Sequence, residues 1–470
     1  MQADREMRNL RPSATIGISV LAIVVLSTGC ALKSRYADQF VIAHKDGYPV
    51  NLQRQEVSEF DRDVWEPIRD GINRYINTVD AENKKRGGKK QTPRLLLHVH
   101  GGLTTYQGAL KHVAKLRDAQ EGAKGEPARK LLSEHHLLLI LWDSSFGTSV
   151  FDDLVGLRFG ERHPAYGAAT APFTVASRLG RSGFLTPQSW LAQGSNAVDG
   201  LIVRERRPWT ECAVPATGSE SDKWVIGSMA AYVAFYPIRA LSVPVIQGFG
   251  GPAWDIMKRR AELILAPLKA ISLEKAGAQG AGRLLMDRLK DQIPGPNRWR
   301  GDKGAERDLA ITLVGHSMGT MVLNNILEQY SELYFDRIVY LAAAARLDDV
   351  QAAVVPYLRR HRNATFWSFS LSETREAVEW DYADMFDRGS LLVWIDHYLQ
   401  PIYAPGDRTF GRAKNIRQYV TVPDDLKGRF LLAKFANGQG DPERHGDFSE
   451  PRILERVLEI VDGGTCPGSR

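Results

Sequence analysis

Residues 311–320, ITLVGHSMGT, constrain this chain more than any other stretch. Residues with strong strand preference run into Gly315-His316-Ser317-Met318-Gly319, and the following MGTMVLNNILEQY spaces its apolar residues for one buried helical face. A serine thus stands at the apex of a sharp turn between strand and helix. Such a turn strains the serine backbone, and side chains at Gly315 or Gly319 would collide with the adjoining strand or helix. The helix aims its first N–H groups, and the positive end of its dipole, at any negative charge that develops beside Ser317.

The flanking chain predicts the sheet this turn needs. Residues 93–103 (PRLLLHVHGGL) and 136–142 (HLLLILW) are continuous apolar runs, as expected of strands buried on both faces. Residues 39–44 read as a first strand, while 63–81 and 106–132 carry helical spacing. This β-α-β alternation predicts an α/β fold with a mostly parallel, doubly wound sheet. After the serine turn, residues 337–344 (RIVYLAAA), 363–371 (NATFWSFSL) and 417–422 (RQYVTV) are the expected further strands, with 391–395 a short extra element. His445-Gly446-Asp447-Phe448 follows, then a terminal helix from about Glu450 with Pro451 in its first turn.

With strand, G-x-S-x-G turn and helix in sequence, the chain resembles the α/β-hydrolase superfamily of serine hydrolases, whose nucleophile elbow has this form. An early strand ending in His100-Gly101-Gly102 is similar to the loop that supplies one oxyanion N–H in that family. The resemblance implies Gly102 or Leu103 as donor, with Met318, the residue after the nucleophile, as partner. In the family order the base comes last, between final strand and final helix, which selects His445 over its main competitor, His397. The acid follows a strand beyond the elbow helix; Glu373 stands there, with Glu376 the alternative and Asp348, Asp349 and Asp381 further options. The implied chemistry is acyl transfer to water by Ser317, His445 and a carboxylate, with no metal or organic cofactor.

Arg5, Arg8 and Arg11, an apolar run over 16–26 and Ser27-Thr28-Gly29-Cys30 form a secretory signal over residues 1–29. The cysteine after Gly29 resembles the acylated Cys30 of a bacterial lipoprotein, which implies a cell-envelope protein lipid-anchored to a membrane, the outer membrane in a Gram-negative host. An uncleaved anchor and a plain secreted signal are the other readings. Cys212 and Cys466 could then form one disulfide or stay as separate thiols.

The hydrolase core is expected in two parts, 30–145 and 309–470, split by a large helical insertion over 146–308 that serves as cap or lid. Within it, residues 224–238 and 240–254 are charge-free, but each falls short of the about 20 residues a bilayer span needs. A net charge of +6 over 470 residues is too mild to argue for nucleic acid. Anchor and apolar cap together favour a lipid-like or other hydrophobic ester as substrate. The rival reading is a non-catalytic, lipid-anchored binding or envelope-assembly protein that keeps the hydrolase shell.

Overall fold

The computed structural model describes residues 38–464, apart from 87–89, 123–128, 159–160, 203–211, 215–241, 268–278, 302–303, 380–387, 437 and 439. Cys30, Asp381, Cys466 and the stretch 224–238 therefore lie outside the described residues.

The chain builds β1 (Phe40–Ala43), β2 (Arg94–Val99) and β3 (His136–Trp142), then the short strands β4 (Leu157–Arg158), β5 (Glu161–Arg162) and β6 (Cys212–Val214). β7 (Arg298–Arg300) and β8 (Glu306–Asp308) precede β9 (Ala310–His316), β10 (Arg337–Leu341), β11 (Thr365–Ser370) and β12 (Phe430–Phe435). One sheet runs β1-β3-β2-β9-β10-β11-β12-β6, and all its pairings are parallel. Helices flank it, so the chain is an α/β protein. β3 is buried along its whole length and β2 along all but its first residue, as their unbroken apolar runs require. Because the strands are parallel, the loops leaving β2, β3, β9, β11 and β12 emerge along a single edge of the sheet.

Two expectations are corrected, and a third element, left open in type, is defined. Residues 417–422 are not a strand: they finish the helix Ala413–Tyr419 and continue as a partly exposed segment. The last long strand is β12, FLLAKF, which pairs with β11. Its apolar run suits a position between two strands, whereas Gln418 and Tyr419 are exposed to solvent. The helix expected over 106–132 stops at Glu121, where Gly122 takes a left-handed cap at φ 69°, and a separate short helix, Lys130–Ser133, follows. The short element near 391–395 is helical, Leu391–Trp394.

The insertion also differs from expectation, since it contributes to the sheet: β6 adds a parallel edge strand beside β12. It contains the 39-residue helix Pro164–Ile202 and the buried helix Gly251–Leu263. Asp152, fully buried, ties it to the core, pairing with Lys45 at 3.2 Å, Arg260 at 2.7 Å and Arg162 at 3.1 Å. Arg162 also pairs with Asp46 in the loop after β1. No described helix is long and apolar enough to cross a membrane.

Candidate active site

β9 delivers Ser317 to the shared edge, and the turn is as tight as its glycines require. Ser317 has φ +51°, in the left-handed region that non-glycine residues rarely adopt. Its neighbours hold it there. The Ser317 N–H donates to Leu341 O at 2.9 Å, and Ser317 O accepts from Ala344 N at 3.1 Å and Thr320 Oγ1 at 2.6 Å. A Cβ on Gly319 would come within 2.3 Å of Val99 O, so the elbow helix Gly319–Gln329 can approach β2 only with glycine there. The Ser317 hydroxyl is buried and makes no hydrogen bond.

The loop after β2 lies directly on this turn. A Cβ on Gly101 would stand 2.8 Å from His316 Nδ1 and 3.0 Å from Ser317 Cβ; one on Gly102 would stand 2.5 Å from Met318 Sδ. Leu103 has φ +60°, a second strained non-glycine residue, and stands half exposed beside the turn. His100 fixes the start of the loop. Its Nε2 accepts from Trp142 N at 3.1 Å, so Nδ1 carries the proton and donates to Gly101 O at 2.7 Å. Burial lowers its pKa to about 4, which keeps the ring neutral.

His445 lies between β12 and the terminal helix Pro451–Gly463, and is itself buried at the start of a one-turn segment, His445–Ser449. Its carbonyl accepts from His316 Nε2 at 3.1 Å, and the two rings lie 5.2 Å apart centre to centre. The imidazole is therefore lodged beside the residue that precedes Ser317. Burial, and after it the neighbouring His316, push the His445 pKa well below its ordinary value. Neither ring nitrogen has a hydrogen-bond partner, so the Ser317–His445 bond is not made in this conformation.

The carboxylates divide clearly. Glu373 pairs with Arg417 at 2.8 Å, and Glu376 is buried 3.7 Å from Arg412. Burial pushes the Glu376 pKa well above the carboxylate range. Neither reaches His445. Asp348 and Asp349 sit in the first turn of the helix Leu347–Arg360. The carboxylate that touches His445 is Glu379, whose Oε2 accepts from the His445 backbone N–H at 2.9 Å. It follows Glu376 by three residues, so the sequence held a signal in the spacing of Glu373, Glu376 and Glu379. His397 is half-buried on the turn after Leu391–Trp394 and makes no hydrogen bond to the Ser317 hydroxyl.

Cys212 enters β6, but its candidate partner is outside the described residues. Among the described residues no group of three or more His, Cys, Asp or Glu is arranged to hold a metal. The arrangement does suit acyl chemistry: a hydroxyl on a strained turn, a glycine loop packed against that turn and a neutral imidazole next to His316. No protein-family model, curated protein or solved structure matches this chain.

Proposed function

We propose that the chain is a serine hydrolase of the α/β-hydrolase kind that cleaves hydrophobic carboxylic esters while anchored to a membrane through Cys30. The observation that carries this reading is Ser317 at φ +51° on a glycine-bounded turn, with the 100–103 loop packed against it and His445 beside it. Backbone strain of this kind costs about 1–3 kcal/mol and persists where its surroundings enforce it, typically at reacting groups. The order Ser317, carboxylate, His445 along the chain is the family's order and gives further support.

In the proposed reaction Ser317 Oγ attacks the ester carbonyl while His445 takes its proton. The carbonyl oxygen, now negative, is held by backbone N–H groups of Gly102 or Leu103 and of Met318. His445 returns the proton to the departing alcohol, and water then releases the acyl group by the same path. Glu379 is our candidate for the carboxylate that steadies the imidazole. The imidazole must turn toward Ser317 for the first step. Leu103, an exposed apolar side chain on the loop packed against the serine turn, suits a hydrophobic acyl or alcohol group.

One observation favours the non-catalytic reading: Ser317 and His445 are not hydrogen-bonded. A fluorophosphonate probe on the purified full chain separates the two. The hydrolase is labelled at Ser317, and Ser317→Ala or His445→Ala abolishes labelling. A folded wild-type protein that stays unlabelled is a binding protein.

A further inference from the structure

Two of the donors proposed for the oxyanion, the N–H groups of Gly102 and Leu103, belong to the loop after β2, and one buried hydroxyl outside that loop reaches Gly101 and Thr104 on either side of them. Ser144, just beyond β3, is fully buried. Its Oγ lies 3.1 Å from Gly101 O and accepts from Thr104 N at 3.3 Å. Its own N–H donates to Thr104 O at 3.1 Å. Oγ also lies 3.3 Å from Thr104 O, but a hydroxyl has one proton, and Gly101 O is the nearer acceptor.

We propose that Ser144 is a positioning residue for oxyanion stabilisation: by clasping Gly101 and Thr104 it sets the direction in which the Gly102 and Leu103 N–H groups point. This rests on the hydrolase reading above. The argument is one of peptide geometry. Carbonyl and N–H of a trans peptide point in opposite directions, so fixing the Gly101 carbonyl fixes the Gly102 N–H. Gly101 O receives two hydrogen bonds, from Ser144 and from His100, and both come from the side of β3, since His100 is itself held by Trp142 of that strand. In the sheet β2 lies between β3 and β9. The Gly102 N–H is thereby turned toward β9, which ends one residue before Ser317. The next peptide is pinned likewise, with Thr104 Oγ1 donating to Gly102 O at 3.2 Å. The clasp also accounts for Leu103, whose φ of +60° would relax in a loop free to move.

Ser144 touches no reacting atom, so its removal acts on kcat more than on KM. In the full-length protein, Ser144→Ala is expected to lower kcat for p-nitrophenyl butyrate at least about tenfold with KM within about twofold. Affinity for phenylboronic acid, which forms a tetrahedral adduct, should fall by the same factor as kcat/KM. Ser144→Cys fills the same volume with a much weaker hydrogen-bonding group and should show the same pattern; it is the variant to measure should the alanine protein not fold. A folded variant of either kind with wild-type kcat, or one in which KM rises while kcat holds, overturns the clasp. A wild-type protein that no fluorophosphonate labels overturns the hydrolase reading instead, and the clasp with it.

Discussion

The carboxylate proposed to serve His445 is chosen at the scale of single contacts. Glu373 already holds an ion pair with Arg417, and Glu376, beside Arg412, is pushed by burial toward its neutral form, in which it is a poor acceptor for an imidazole proton. Glu379 alone of the three hydrogen-bonds to the His445 backbone, which makes it the proposed partner of the imidazole. Glu379→Gln should therefore lower kcat by about a hundredfold to ten-thousandfold, the loss expected when an imidazole loses the group that fixes its tautomer. Glu373→Gln should leave kcat within a few-fold and act on melting temperature through Arg417. Equal kcat values in the two variants would remove Glu379 from the relay. The sequence showed that carboxylates follow β11 but not which one meets His445, because three glutamates at three-residue spacing look alike until the fold brings Glu379 to the His445 N–H.

At the scale of elements, the turn at Ser317 works because β9 and the helix Gly319–Gln329 meet β2 with no side chain between them. A methyl group at position 319 would strike backbone, Val99 O and His100 O, rather than a flexible side chain that could move aside. Gly319→Ala is expected to cost about 1–3 kcal/mol or more, as overpacking at a rigid contact does. It should also reduce fluorophosphonate labelling, because relief of the clash displaces Met318 and Ser317 together. Urea melts beside labelling rates check both, and an alanine variant of native stability would show that the helix has room to slide. This part of the fold was legible because buried parallel strands are unbroken apolar runs and the turn is marked by glycines. β12 was missed for the converse reason. Residues 417–422 carry tyrosine and valines that favour strands locally, yet Gln418 and Tyr419 would have had to enter a core. FLLAKF satisfies that core except at Lys434, a charge that hides the run from a reading of periodicity. β6 carries no such pattern, since three residues at an edge leave no period to read.

Across the whole molecule the same burial that shields the proposed site makes the fold sensitive to acid. Of the eleven histidines, eight are held below the ordinary value by burial: the strand residues His98, His136 and His316, and His100, His112, His135, His397 and His445. Those at His100, His135, His136 and His316 fall to about 4 and that at His112 to about 3. In the unfolded chain each would titrate near 6.5. Below that pH the unfolded state binds more protons than the folded one, so stability is lost as pH falls from about 6.5 toward about 4. Each histidine in that window adds a slope of about 1.4 kcal/mol per pH unit. Glu376, Glu328 and Asp349 act in the opposite sense, because a raised pKa lets the folded protein take up a proton before the unfolded chain does, but they are three groups against eight. Urea unfolding at pH 7, 6 and 5 should give a slope between pH 6 and 5 equivalent to roughly three or more protons taken up on unfolding. A slope of one proton or fewer would mean that these imidazoles are hydrated and that the site is open to water. If the steep slope is found, His445 is still unprotonated at the pH where the chain begins to lose its structure. The acid limb of any esterase activity should then follow the unfolding curve rather than the titration of a base near 6.5, and Ser317 labelling measured at the same pH values distinguishes the two.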